Sequence, residues 1–226
     1  MGIKLLGISG SPVKEGNTEA ILIEALKIGK EMGDVTTDIV ALDGNRGIEL
    51  RDCNHCNWCI SKQEEGKFCR YQDDDAMGEI YPKMMEADGL ILASPVYIGR
   101  ISGYMASMLD RLRVMVHGNV YKECLKNKVV GAIAVSWFRN SGLETTLQTL
   151  VMSAMTFKMI PVGSGAGSIL GGVACATEGG TGRFDPTDRH GVLGDEFGMK
   201  TVQGTVRNVV EMARLVKAGK EALQDA

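Results

Sequence analysis

Apolar positions along the chain follow two periodicities that take turns. Ile3 to Ser9 is a short apolar run closing on Gly-Ser, as expected of a parallel strand buried on both faces. After a polar turn, Ile21, Ala25, Ile28 and Met32 recur at helical spacing with Leu22 and Leu26 beside them, and Gly33-Asp34 stops that helix. Val35 to Leu42 predicts a second strand. A helix over Asp75 to Glu86 and a third strand over Gly89 to Val96 come next. Met105, Met108, Leu109 and Leu112 mark another helix, and Val129 to Val135 a fourth strand. Gly142 to Phe157 predicts a helix and Met159 to Gly163 a fifth strand. Val202, Val206, Val209, Ala213 and Val216 define a final amphipathic helix over about residues 196–220. Two segments fit neither period. One is an irregular stretch from Asp43 to Asp73 (a loop over about 44–73); the other is glycine-rich, from Gly163 to Gly194, and reads as loop.

Strands alternating with helices predict an α/β fold, a doubly wound five-stranded parallel sheet in one domain over residues 1–226. Hydrophobic residues make up 44% of the 226, enough for a core that needs neither metal nor disulfides. A formal charge of -3 gives no reason to expect nucleic acid or a membrane surface as partner. The longest apolar runs are strand-sized, and Met1 to Ser11 runs straight into a strand and turn with no secretory signal, so a cytoplasmic protein is expected. Four of the six cysteines (Cys53, Cys56, Cys59 and Cys69) crowd into one short stretch. In a reducing compartment such a cluster reads as metal binding or redox chemistry rather than a disulfide framework.

Ser9-Gly10-Ser11-Pro12 leaves the first strand, and Gly16-Asn17-Thr18 opens the first helix. A helix N-terminus offers unpaired N–H groups and a positive dipole end, which suit a phosphate. Ser9, Ser11, Asn17 and Thr18 add side-chain donors. The segment lacks both the G-x-G-x-x-G fingerprint and the lysine of a Walker loop, which points to a single phosphomonoester; an N-capped helix after an ordinary polar turn is the alternative. Gly7 to Thr18, GISGSPVKEGNT, resembles the phosphate loop of the flavodoxin-like NADPH-dependent FMN reductase superfamily. Ser94-Pro95-Val96-Tyr97, followed by Ser102-Gly103 and Leu109-Asp110-Arg111, resembles that family's second flavin loop and the helix after it. The resemblance implies that Pro95, Val96, Tyr97, Ile98 and Gly99 lie along an FMN ring, Tyr97 as an aromatic wall and Ile98 and Gly99 through their backbone N–H groups. Ser136 to Thr145 matches the family's next glycine-rich segment more loosely, with Ser136, Arg139, Ser141 and Gly142 as implied flavin contacts. Trp137 reads as core rather than as a flavin shield.

Cys53-x2-Cys56-x2-Cys59 puts three thiolates within seven residues, which suits one side of an iron–sulfur cubane, each sulfur taking a different iron; Cys69 completes the set. Zinc with His55 as a spare ligand is an alternative, although its usual second Cys-x2-Cys pair is missing. The arrangement resembles the compact cysteine motif of the iron–sulfur flavoproteins, a branch of the same superfamily, with a longer gap of nine residues before Cys69. The run Asp73-Asp74-Asp75 reads as a solvated cap of the next helix. The loops after strands 1 to 4 share one rim of such a sheet, so cluster and flavin are expected side by side.

The resemblance implies FMN and a [4Fe-4S] cluster, and a homodimer or homotetramer in which a cluster approaches a neighbour's flavin. It also implies electron flow from a ferredoxin-like donor or NAD(P)H to a small acceptor such as oxygen, peroxide or a quinone. No catalytic acid or base is required, because the cofactors carry the chemistry. An NAD(P)H-dependent FMN or quinone reductase is the competing enzymatic reading, and a zinc-stabilised flavin-binding module the non-enzymatic one.

Overall fold

The computed structural model describes residues 2–42, 50–165 and 167–224. The first part of the irregular segment, residues 43–49, lies outside the described residues.

Five parallel strands, β1 (Ile3–Ser9), β2 (Val35–Ala41), β3 (Gly89–Pro95), β4 (Val129–Ser136) and β5 (Ile160–Val162), stand in the order β2-β1-β3-β4-β5. Alternate residues of each strand feed opposite faces, as the two-residue period requires. On one face, Leu6, Ile8, Leu90, Leu92, Val130 and Ala132 meet α3 (Met77–Glu86), α4 (Gly103–Arg111) and α6 (Leu143–Thr156). On the other, Ile3, Leu5, Ile91, Ala93, Val129 and Ile133 meet α1 (Asn17–Glu31) and the long α7 (Glu196–Gln224). Two four-residue helices, α2 (Trp58–Ser61) and α5 (Val114–His117), flank the cysteines. Among the described residues no helix is long and apolar enough to cross a membrane.

The glycine-rich stretch is not all loop. Gly172–Cys175 forms a sixth strand, β6, parallel to β4. It pairs with Ile133 to Ser136, whereas β5 pairs with Val129 to Gly131. One edge of β4 is thus completed by two short strands, with an excursion between them. Gly171, at φ +156°, brings the chain back: a Cβ there would lie 2.2 Å from the Ala132 carbonyl oxygen. Only glycine permits that approach.

The Asp run also departs from its expected role. Asp75 accepts from the Met77 N–H at 3.0 Å, as a cap does, but its side chain has no exposed surface and pairs with Arg111. A solvated run would leave that buried guanidinium without a counter-charge.

Candidate functional site

The loops after β1, β3 and β4 are joined by hydrogen bonds and close backbone contact. Gly16 caps α1 in an extended conformation with no side-chain hydrogen bond, so the helix N-terminus presents its N–H groups to the loop. Within that loop Ser9 Oγ accepts from Ser11 N (3.4 Å), and Ser11 Oγ accepts from Val13 N (3.1 Å). Thr18 is buried, and Asn17 Oδ1 accepts from Val192 N at 3.0 Å. Ser94 Oγ accepts from Ser102 N (3.1 Å), while Ser102 Oγ caps α4 through Met105 N (3.1 Å) and donates to Gly10 O (2.5 Å). These three residues fasten the phosphate-type loop to the loop after β3.

That second loop is a tight reversal. Tyr97 N donates to Arg100 O at 2.8 Å and Arg100 N to Tyr97 O at 3.2 Å, with Ile98 (φ 50°) and Gly99 (φ 73°) at the tip. Both signs fit a type I′ turn. Among the described residues the N–H groups of Ile98 and Gly99 donate to nothing, and Ile98 is 98% exposed. Pro95 ends β3 in the core, Val96 N reaches Val135 O at 2.8 Å, and burial raises the Tyr97 hydroxyl pKa. Gly142 (φ +110°) abuts the turn: a Cβ there would stand 2.6 Å from Gly99 Cα.

The loop after β4 differs from expectation at two places. Trp137 is 61% exposed, not core; it stands beside Phe184 with ring centroids 6.3 Å apart, and Phe138 is exposed next to it. Arg139 turns away to Asp195, with Nη2 at 3.0 and 2.9 Å from the two carboxylate oxygens. Burial opposes ionisation of Asp195, but hydrogen bonds from Arg139, Cys175 N and Gly198 N outweigh it and hold the carboxyl below its usual range. Ser136 Oγ and Ser141 Oγ both donate to Phe138 O, at 2.5 and 2.9 Å.

The glycine-rich stretch, read from sequence as loop, supplies a strap over residues 177–195. Thr177 Oγ1 bonds Trp137 O, and Gly180 O accepts from Arg139 N at 2.9 Å. Farther along, Arg189 Nη2 donates to Lys14 O (2.8 Å), and His190 Nε2 meets Glu15 O (2.9 Å). The strap therefore ties the loop after β4 to the loop after β1. Its partners lie up to 175 residues away in sequence, so no local pattern could have shown them.

The four cysteines line one cleft, together with Asp52, Trp58, Arg70, Arg111 and Arg113; its empty volume, open mouth included, is about 370 Å³. Cys59 and Cys69 are buried, Cys53 is half-buried and Cys56 exposed. Burial pushes the Cys59 thiol up, Arg113 pulls it down, and Cys69, Cys56 and Cys53 each push it up. Among the described residues, however, no three His, Cys, Asp or Glu side chains converge closely enough to hold a single metal ion. Cys175 and Cys124 lie outside the cleft, burial raising both thiols. Asp52 bonds Ser107 of α4, and Arg111 closes the same helix. The nine residues of α4 thus begin at the flavin-type loops and end at the cysteines, about 14 Å along the axis.

Comparison with known proteins agrees with this geometry. Residues 3–171 match the NADPH-dependent FMN reductase family. An iron–sulfur flavoprotein of Methanocaldococcus jannaschii is 39% identical over 95% of this chain and all of its own length. One from Methanosarcina thermophila is 33% identical over 97% of this chain and all of its own. Among solved structures, RosB with a bound formylriboflavin phosphate intermediate superposes with TM-score 0.68 over 100% of this chain and 88% of its own, at 17% identity. The NAD(P)H:quinone oxidoreductase of Methanothermobacter marburgensis does so with TM-score 0.60 over 92% and 96%, at 14% identity. With its flavodoxin-like sheet, its stitched rim loops and its cysteine cleft, the chain belongs to the iron–sulfur flavoprotein branch of the NADPH-dependent FMN reductase family, and is an FMN-dependent oxidoreductase.

Proposed function

We propose that this oxidoreductase passes electrons between a one-electron, ferredoxin-like donor and a small acceptor through FMN on the rim and a [4Fe-4S] cluster on Cys53, Cys56, Cys59 and Cys69. The observation that carries the reading is the shared cleft of the four thiols, at the far end of the helix that caps the flavin-type loops. A cubane takes one thiolate per iron, so its sulfurs ring a cleft, whereas a tetrahedral zinc draws four donors to one point. The four cysteines line one cleft, an arrangement that suits a group bound through one thiolate per iron. Arg70, Arg111 and Arg113 on the same walls suit a group whose four thiolates give it net negative charge.

FMN exchanges electrons singly or in pairs and a cluster singly, so together they connect one-electron donors to two-electron acceptors. The protein's own residues bind and orient. The N-terminus of α1, with Ser9, Ser11, Asn17 and Thr18 around it, would hold the phosphate by N–H donation and helix dipole. Pro95 to Gly99 would flank the ring, Tyr97 as an aromatic wall and Ile98 and Gly99 through their free N–H groups. Ser136, Ser141 and Gly142 shape the adjoining wall, which exposed Trp137 and Phe138 extend. Arg139 acts on this wall through Asp195. A homodimer or homotetramer, in the cytoplasm, would cover these aromatics and bring a neighbour's cysteine cleft toward the flavin.

Anaerobic purification with a visible spectrum, and iron, sulfide and zinc assays on the same sample, tests the reading. Flavin bands over a broad shoulder, with about four irons and four sulfides per chain, are expected. Flavin with zinc or no metal would refute the cluster. Rapid bleaching by NADPH but not by reduced ferredoxin would make the protein an NAD(P)H-dependent reductase.

A further inference from the structure

Among the described residues, Arg111 is the one guanidinium of the cleft that is both buried and in contact with a cysteine sulfur. Its side chain is 3% exposed. Nη1 reaches Asp75 Oδ2 at 2.5 Å and Arg51 O at 2.9 Å. Nη2 reaches Asp75 Oδ1 at 3.4 Å and Cys69 Sγ at 3.6 Å. Nε is buried without a partner among the described residues. Tyr81 Oη donates to the Arg111 carbonyl at 3.0 Å, fixing this end of α4. Burial works against the Arg111 charge, yet the hydrogen bond and charge of Asp75 hold its pKa above the ordinary value.

A buried ion pair is a costly means of holding a helix end, since an apolar pair of the same volume is often as stable. Its presence at a cysteine cleft, with one N–H on sulfur and another unsatisfied, points to a bound group that uses the charge. Arg113 differs: its Nη1 is taken by Asn57 Oδ1 at 2.9 Å, in an exposed position.

We propose that Arg111 is a positioning residue of the cluster. It orients Cys69 as the fourth ligand and holds a buried positive charge against the cluster, making the cluster easier to reduce, while Asp75 moderates that charge. This rests on the cluster assignment above. Hydrogen bonds to ligand sulfurs and nearby charge are among the factors that set such potentials. The neighbouring ion-pair partner should therefore act with the opposite sign.

The test is an anaerobic redox titration of the full-length holoprotein, followed by EPR and visible absorption, on Arg111→Gln, Arg111→Lys and Asp75→Asn, with iron, sulfide and FMN assayed on each. Arg111→Gln is expected to shift the cluster potential negative and Asp75→Asn to shift it positive. Arg111→Lys should stay nearest the parent, and the FMN couple should move less than the cluster in each variant. A structural role would not produce opposite signs. If Arg111→Gln does not fold, a positive shift in Asp75→Asn and the retained potential of Arg111→Lys carry the test alone. An unmoved or negative-shifted cluster in Asp75→Asn overturns the inference while leaving the cluster assignment intact. A parent protein without iron and sulfide overturns both.

Discussion

Replacing Gly142 by alanine probes the contact on which the rim depends. Gly142 stands at φ +110° and ψ 20°, where an L side chain is strained by about 1–3 kcal/mol. The new methyl would also lie 2.6 Å from Gly99 Cα and 2.7 Å from Gly99 O. Carbon atoms pack at about 3.5–4 Å, so turn and helix would have to separate by about 1 Å. The obstacle is backbone, which no rotamer change can relieve, and overpacking of this kind costs about 1–3 kcal/mol. Together the two effects amount to about 4 kcal/mol, a fall in Tm on the order of 12 °C for a chain this size. Gly33→Ala separates them: Gly33 has φ +78° with no atom within 4 Å of the added methyl, so it carries strain alone, about 1–2 kcal/mol. Thermal unfolding followed by far-UV circular dichroism compares the two variants. Quenching of flavin fluorescence on titration with the apoprotein measures FMN affinity, expected to drop at least ~10-fold, equivalent to about 1.4 kcal/mol, in Gly142→Ala and to hold in Gly33→Ala. A Gly142→Ala protein that melts within about 3 °C of Gly33→Ala and binds FMN as the parent does would refute the reasoning.

Asp195→Asn should flatten the acid limb of stability. The folded pKa of Asp195 lies below its unfolded value of about 3.9, so its contribution is present above about pH 4 and lost as pH falls through the folded value. Urea midpoints measured between about pH 5 and pH 2.5 should converge for parent and variant at the acid end; parallel curves would count against it. Trp137→Ala should weaken FMN binding while leaving Tm within about 2 °C of the parent, since the side chain is mostly exposed. The same titration, read through tryptophan fluorescence, should lose most of its quenching. Cys56→Ser is expected to lower iron and sulfide content sharply, while the two apoproteins should differ in stability by about 0.5 kcal/mol or less, because the thiol is exposed. Undiminished iron would remove Cys56 from the ligand set.

Long-range contacts, more than the strands, separate what the sequence discloses from what it hides. Strands β1, β3 and β4 are apolar runs closed by Gly-Ser, Ser-Pro or Ser-Trp, and a parallel sheet sends all their loops to one rim. That these loops share a rim was therefore legible from pattern, while their reading as flavin loops came from the family resemblance. β6 was not: its four residues are too short to show a period, and they pair only because the excursion after β5 leaves the end of β4 open. Asp75 looked solvated because its counter-charge is supplied from 36 residues away. Trp137 looked like core because it follows an apolar strand directly. Its exposure, shared with Phe138 and Phe184 on the strap, carries a consequence that a core tryptophan would not. Large aromatic surface left in water forgoes the roughly 25 cal/mol per Å² that burial gives, and clustered exposed apolar surface commonly marks a binding face. Here the loop that carries Trp137 and Phe138 touches, through Gly142, the turn with the free N–H groups, so a ligand that is flat and apolar in the middle and polar along one edge would satisfy both features at once. That combination supports FMN more strongly than any of the loop motifs does singly.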